Sequence, residues 1–238
     1  MNINDLNIKI FADGADIDGM LEMLEKPYIN GFTTNPTLMK IAGITDYESF
    51  AREVLGKIKD KPISFEVFSD EFEIMDLEAR KIASWGKNVN VKIPITNSKG
   101  ESSIPLIKTL SDEGISLNIT AIMTLKQVSN VANAINPRAE TIVSVFAGRM
   151  ANTGIDPIPI MKKAKDTLKD NKNAKLLWAS PREFLNIFHA ESSGCDIITV
   201  TNNLLNLISL LNKDLNEYSL ETVQMFYNDA QTAGYKIL

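Results

Sequence analysis

The sequence predicts an α/β fold: a single (β/α)8 (TIM) barrel spanning residues 1–238, with an extra helix at its C-terminal end. Three observations lead there. Eight short runs rich in Val, Ile, Phe and Thr alternate with segments of helical periodicity, which is the pattern of a parallel sheet with helical crossovers. No Pro/Gly/Ser-rich linker or low-complexity tract divides the chain. Its 238 residues suit one barrel, for which roughly 250 residues is usual. An open doubly wound sheet would call for a glycine fingerprint after the first strand, and Phe11-Ala-Asp-Gly-Ala-Asp16 offers a single glycine.

The strands are expected at 8–13, 31–35, 62–68, 89–93, 116–123, 141–147, 176–180 and 197–201, with Pro36, Pro94 and Pro181 stopping the second, fourth and seventh. Helices fill the gaps. Segment 47–59 repeats apolar residues at helical spacing (Phe50, Val54, Leu55, Ile58), as does 73–85 (Met75, Leu77, Ala79, Ile82). Segment 103–113 does so with Leu106, Ile107 and Leu110, and Gly114 stands where a helix-ending glycine belongs. Thr124 caps 125–136, which stops before Pro137. Asp156 caps 157–170, with Pro157 in the first helical position. Helices at 181–193 and 203–211 complete the barrel, and Ser219 caps a last helix that ends near Gly234.

Composition narrows the chemistry. Hydrophobic residues make up 44% and charged residues 23%, enough apolar mass for a full core. A formal net charge of −5 argues against a nucleic-acid partner. The one cysteine, Cys195, forms no internal disulfide and fits a reducing compartment. The polar N-terminus lacks a signal-peptide core, and no apolar run reaches the ~18 residues of a membrane helix. These features suggest a cytoplasmic protein without a membrane partner. With one histidine, His189, a Ser-His-Asp triad or a two-histidine metal site is hard to build. No metal or cofactor is expected. His189 reads as a packed or half-exposed helix residue, and Cys195 as a buried structural thiol.

In such a barrel, catalytic groups lie at the C-terminal ends of the strands. Lys92 is the informative one. In Val89-Asn-Val-Lys-Ile-Pro94, alternation puts Asn90, Lys92 and Pro94 on one face and Val89, Val91 and Ile93 on the other. The apolar face packs outward on helices, so Lys92 points into the barrel. Burying an ammonium is costly, and a desolvated, neutral amine attacks a ketone to form a Schiff base. The alternative is a structural ion pair with Glu or Asp. Asp13, Glu66, Asn118 and Thr120 converge on the same mouth and can shuttle protons. Taken singly, Asp13 also suits a turn, Asn35 a stop before Pro36, and Thr120 an ordinary strand. Ser180 and Arg182 follow the seventh strand, where these barrels often bind phosphate. A helix starting at Pro181 would add free N–H groups, and Arg149 could join them. A surface salt bridge from Arg182 to Glu183 or Glu191 is the competing reading.

Six segments in order resemble the small transaldolases, and more distantly the classical transaldolases and the fructose-6-phosphate aldolases. They are Ala12-Asp-Gly-Ala-Asp16, Thr33-Thr-Asn-Pro-Thr37, Val91-Lys-Ile-Pro-Ile-Thr96, Leu117-Asn-Ile-Thr120, Val143-Ser-Val-Phe-Ala-Gly-Arg149 and Ala179-Ser-Pro-Arg182. The resemblance implies Lys92 as the Schiff-base lysine and Asp13 as the acid/base in carbon–carbon cleavage. It implies that Glu66 and Thr120 hold the catalytic water, that Asn35, Asn118 and Ser144 hold substrate hydroxyls, and that Arg149, Ser180 and Arg182 bind phosphate. In the sister aldolases a tyrosine replaces the phenylalanine of the strand-six motif and a glutamine the strand-three carboxylate. Phe146 and Glu66 stand at those positions here, which favours transfer. Gly14, Val145 and Pro181 depart from the usual residues.

The implied reaction moves a dihydroxyacetone unit from a ketose, a sugar phosphate or related sugar, to an aldose acceptor. The alternatives are an aldolase releasing free dihydroxyacetone and a non-catalytic sugar-binding barrel. Family members are dimers or decamers, so a homo-oligomer is expected, with the helix at 219–234 as a candidate subunit contact.

Overall fold

Period-two alternation produces strands with one face on the helices and the other on the barrel axis. In the computed structural model, which describes residues 2–237, eight such strands close into a barrel in chain order, each parallel to the next. They are β1 (Lys9–Asp13), β2 (Ile29–Thr33), β3 (Ile63–Glu66), β4 (Val89–Pro94), β5 (Leu117–Ile122), β6 (Thr141–Val145), β7 (Ala174–Trp178) and β8 (Ile197–Thr201). Closure comes from β8 pairing with β1 over Lys9–Asp13.

The helices are α1 (Ile17–Leu24), α2 (Pro36–Ile41), α3 (Tyr47–Lys57), α4 (Phe72–Ala83), α5 (Ile104–Asp112) and α6 (Leu125–Ala134). They continue with α7 (Ala147–Ala151), α8 (Ile158–Thr167), α9 (Asn186–Ser192), α10 (Asn202–Leu205) and α11 (Leu215–Ala233). Short 3-10 segments cover Ile3–Asp5 and Asn206–Leu210. Among the described residues no helix is long and apolar enough to cross a membrane.

Several local signals act as read. Thr124 forms a full capping box with Gln127, and Gly114 and Gly234 take the left-handed conformation (φ 82° and 69°). Others differ. Asn35 does not extend β2; its side chain caps α2 by accepting from the Leu38 N–H at 3.0 Å, with Pro36 opening the helix. The helix expected from Pro181 starts only at Asn186. The segment 181–185 is irregular because the Asn186 carboxamide accepts from the N–H of Arg182 (2.8 Å) and of Glu183 (3.3 Å), tying the chain into a turn. The last helix is capped by Asp214, which accepts from Asn216 and Glu217, so Ser219 lies inside it. Leu77 falls on the outer face of α4 and is 62% exposed, while Met75, Ala79 and Ile82 are buried.

Most of the core lies between strands and helices, with Phe32, Ile63, Phe65, Val91, Ile93 and Ile119 fully buried. A second, smaller cluster fills the barrel interior: Phe11, Ile142, Leu177, Ala179 and Ile197, with Phe146 against it. A Cβ on Gly31 would stand 2.7 Å from the Phe11 ring, so a glycine on β2 is what lets that ring lie across the axis. This apolar plug separates the two mouths of the barrel.

Candidate active site

Inward alternation on neighbouring strands stacks Asp13, Glu66, Lys92, Asn118 and Ser144 above the plug, and the loops beyond them complete a cavity of about 420 Å3. Its lining holds every residue expected at the site: Asp13, Asn35, Glu66 and Lys92; Asn118, Thr120, Ser144 and Phe146; Arg149, Ser180 and Arg182. Thr33, Thr199 and Thr201 join them.

Lys92 is 7% exposed. Its Nζ donates to the Thr34 carbonyl at 2.7 Å and lies 2.9 Å from Glu66 Oε2. Cα pairing sets Glu66 directly beside Lys92 across β3 and β4. The structural ion pair therefore exists, and it sits in the cavity. Tyr47 clamps the carboxylate's backbone, its hydroxyl donating to the Glu66 carbonyl (3.0 Å) and accepting from the Glu66 N–H (2.7 Å). Burial raises the Tyr47 phenol above its ordinary value, so it stays protonated and keeps both bonds.

Asp13 ends β1 across the cavity. Withdrawal from water pushes its carboxyl above the ordinary range. The Lys92 charge and hydrogen bonds from Thr33 and Asn35 oppose that rise, and the Glu66 charge adds to it. Thr33 Oγ1 donates to Asp13 Oδ1 at 2.7 Å, and Asn35 Nδ2 reaches Oδ2 at 3.5 Å. Thr33 also hydrogen-bonds the Thr199 hydroxyl, which links Asp13 on β1 through β2 to β8. Thr33, Thr199 and Tyr47 were not singled out in the sequence. Thr199 shares the inward alternation of β8 with Ile197 and Thr201, a signal of the same kind as the one that found Lys92.

Asn118 is fully buried, its Nδ2 donating to Ser64 Oγ (3.0 Å) and its Oδ1 accepting from Ser144 Oγ (2.6 Å). This network fixes both side chains in place before any ligand arrives. Thr120, 3% exposed, precedes Ala121, whose φ of 61° breaks the β5–β6 register.

Arg149 lies on α7, with its guanidinium 5.9 Å from the centroid of the Phe146 ring. Arg182 Nε reaches the Gly148 carbonyl at 3.4 Å. Among the described residues neither arginine pairs with a carboxylate. The salt bridge to Glu191 does not form, because Glu191 accepts from the N–H groups of Asn7 and Ile8. Ser180 sits between the arginines with φ 62°, a left-handed conformation that costs a non-glycine residue energy and often marks a functional loop. Outside the cavity, Cys195 is buried with its thiol pushed up to about 12, which keeps it protonated and inert. His189 packs 6.5 Å from the Trp178 ring.

The chain is similar to known proteins. The family model described as transaldolase/fructose-6-phosphate aldolase matches residues 10–237. A probable transaldolase of Thermoplasma acidophilum is 37% identical over 202 residues, covering 83% of this chain and 86% of that protein. Probable transaldolases of Thermoanaerobacter sp. (32%) and Ruegeria sp. strain TM1040 (30%) align over 97% of this chain and their own full lengths. The chain belongs to the transaldolase/fructose-6-phosphate aldolase family.

Proposed function

We propose that the protein is a transaldolase that carries a dihydroxyacetone unit from a ketose phosphate to an aldose acceptor through a Schiff base on Lys92. The observation that carries this reading is the buried Lys92 amine, held between Glu66 and the Thr34 carbonyl inside a cavity that also presents Asp13 and two unpaired arginines.

In the proposed cycle, Glu66 takes the ammonium proton and the free Nζ attacks the ketose carbonyl. The carbinolamine loses water, which Glu66 and Thr120 hold. Asp13 takes the proton of the adjacent hydroxyl as the carbon–carbon bond breaks; an aldose leaves and a three-carbon enamine stays on Lys92. The acceptor aldehyde then takes the enamine carbon, Asp13 returns the proton, and water releases the product. Its raised pKa suits Asp13 to this two-way traffic near neutral pH. Asn35, Asn118 and Ser144 hold hydroxyls. Arg149, Ser180 and Arg182 hold the phosphate, with the charged hydrogen bonds such a group needs. Phe146 carries no hydroxyl to protonate the enamine, and this favours transfer over release of free dihydroxyacetone.

The test is an assay of the purified protein with fructose 6-phosphate, with and without an aldose phosphate acceptor. Turnover that requires the acceptor supports the reading. Dihydroxyacetone release at the same rate without acceptor would replace it with the aldolase reading, and ketose binding with no turnover in either arm would replace it with a non-catalytic barrel.

The proposal extends to assembly and place. α11 has no buried residue and exposes Leu220, Val223, Phe226 and Tyr227 by 58–64%. Unspent apolar surface on a 19-residue helix fits a contact with a second copy of the chain. A buried, unpaired Cys195 fits a cytoplasmic site of action.

A further inference from the structure

The opposite mouth of the barrel holds a second cavity, of about 560 Å3, on the far side of the apolar plug. Its inner wall is apolar: Phe11, Ile142 and Ile197 belong to the plug and line it. Its outer rim carries two lysines. Lys9 shares the inward face of β1 with Phe11 and Asp13, and Lys175 shares that of β7 with Leu177 and Ala179. Among the described residues neither lysine is paired with a carboxylate; Lys175 Nζ reaches only the Lys172 carbonyl, at 3.3 Å.

The rim acids do not form ion pairs with them. Asp196 is taken by Lys165 (2.7 Å) and by the Leu176 N–H (2.8 Å). Glu191 is taken by the N–H groups of Asn7 and Ile8. Glu140 and Glu191 both keep a negative charge at the rim, but among the described residues neither pairs with Lys9 or Lys175.

The decisive residue is Asn90. It lies on the inward face of β4, one layer below Lys92, and is 7% exposed. Its carboxamide, with two donors and an acceptor, has no hydrogen-bond partner among the described residues, and it lines this cavity. Ser64, whose Cα pairs with Asn90 across β3 and β4, is instead held by Asn118, which also accepts from Ser144. Its donors and acceptor face the cavity and are free to meet a ligand there.

We propose that this mouth is a second small-molecule site, taking an organic anion whose apolar body lies on Phe11, Ile142 and Ile197, whose charged end meets Lys9 and Lys175, and whose polar edge is read by Asn90. The volume is ordinary for a metabolite site. The plug that forms its inner wall also bounds the catalytic cavity, so an occupant there touches a wall shared with the active site.

The test uses phenyl phosphate as probe and calorimetry as readout, in an Arg149→Ala/Arg182→Ala background so that the catalytic cavity does not compete for the anion. The expected result is one binding event per chain. It should weaken about tenfold or more with Lys9→Gln/Lys175→Gln, the loss of charged hydrogen bonds. Benzyl alcohol, which lacks the charge, should bind more weakly than phenyl phosphate. Asn90→Leu should also weaken the probe, because it removes the donors and acceptor that meet its polar edge. The proposal is overturned by no binding in the Arg149→Ala/Arg182→Ala background, or by binding that survives the lysine and Asn90 changes.

Discussion

Gly148 and Ser180 meet at backbone distance: a Cβ at position 148 would stand 1.5 Å from the Ser180 carbonyl oxygen. No flexible side chain can move aside, so α7 and the loop after β7 must part if the glycine is replaced. That contact holds Arg149, Ser180 and Arg182 in one cluster. Gly148→Ala should destabilise the protein by about 1–3 kcal/mol. It should also raise KM for fructose 6-phosphate about tenfold or more. Its effect on turnover of unphosphorylated dihydroxyacetone donors should be small. Steady-state kinetics with both donors checks this.

The two arginines are unpaired cations beside a strained serine. Arg149→Ala and Arg182→Ala should each cost about 1.5–3 kcal/mol in binding a phosphorylated donor, or roughly 10- to 150-fold in KM. kcat should fall less than KM rises. A fall in kcat at constant KM would place these residues at the reacting carbons instead.

Asp13 carries a raised pKa, so the folded state holds its proton to a higher pH than the unfolded chain does. Between the two pKa values the native state binds more protons, and stability therefore drops as pH rises through that window. Asp13→Asn removes the penalty. Its Tm should exceed that of the wild type at neutral pH, and the difference should shrink to nothing as pH falls below the ordinary carboxylate value of 3.8. Activity should be lost at every pH. Thermal melts across that range test the sign.

Two charges placed on the exposed face of α11, Val223→Glu with Phe226→Glu, should lower the solution mass measured by light scattering and leave the barrel's circular dichroism unchanged. An unchanged mass, or a wild-type protein that is already monomeric, would remove α11 as a subunit contact.

Much of this was legible in the sequence, for physical reasons that differ by residue. The inward placement of Lys92 follows from strict alternation in β4, which burial on both faces enforces. Asp13, Glu66, Asn118 and Ser144 follow from the same rule. The strand-end rule fails where the chain leaves the barrel. Asn35 is a helix cap because its side chain finds the Leu38 N–H, a local bond that competes with strand extension. Arg149 rides on α7, five residues that are too few to show a helical period. Pro181 looks like a helix start, but Ser180 at φ 62° and the Asn186 carboxamide turn the chain first, so the cluster of Arg149, Ser180 and Arg182 has no helix end behind it. Thr199 shares the inward alternation that reveals Lys92, whereas Tyr47 acts through the Glu66 backbone, and a hydrogen bond from a helix to a strand leaves no local pattern to read.

The most direct measurement is borohydride reduction of the protein in the presence of fructose 6-phosphate, followed by peptide mass spectrometry. The expected result is a reduced three-carbon adduct on Lys92, abolished in Lys92→Ala. An unmodified Lys92, or the adduct on another lysine, would contradict the assignment of this buried amine as the nucleophile.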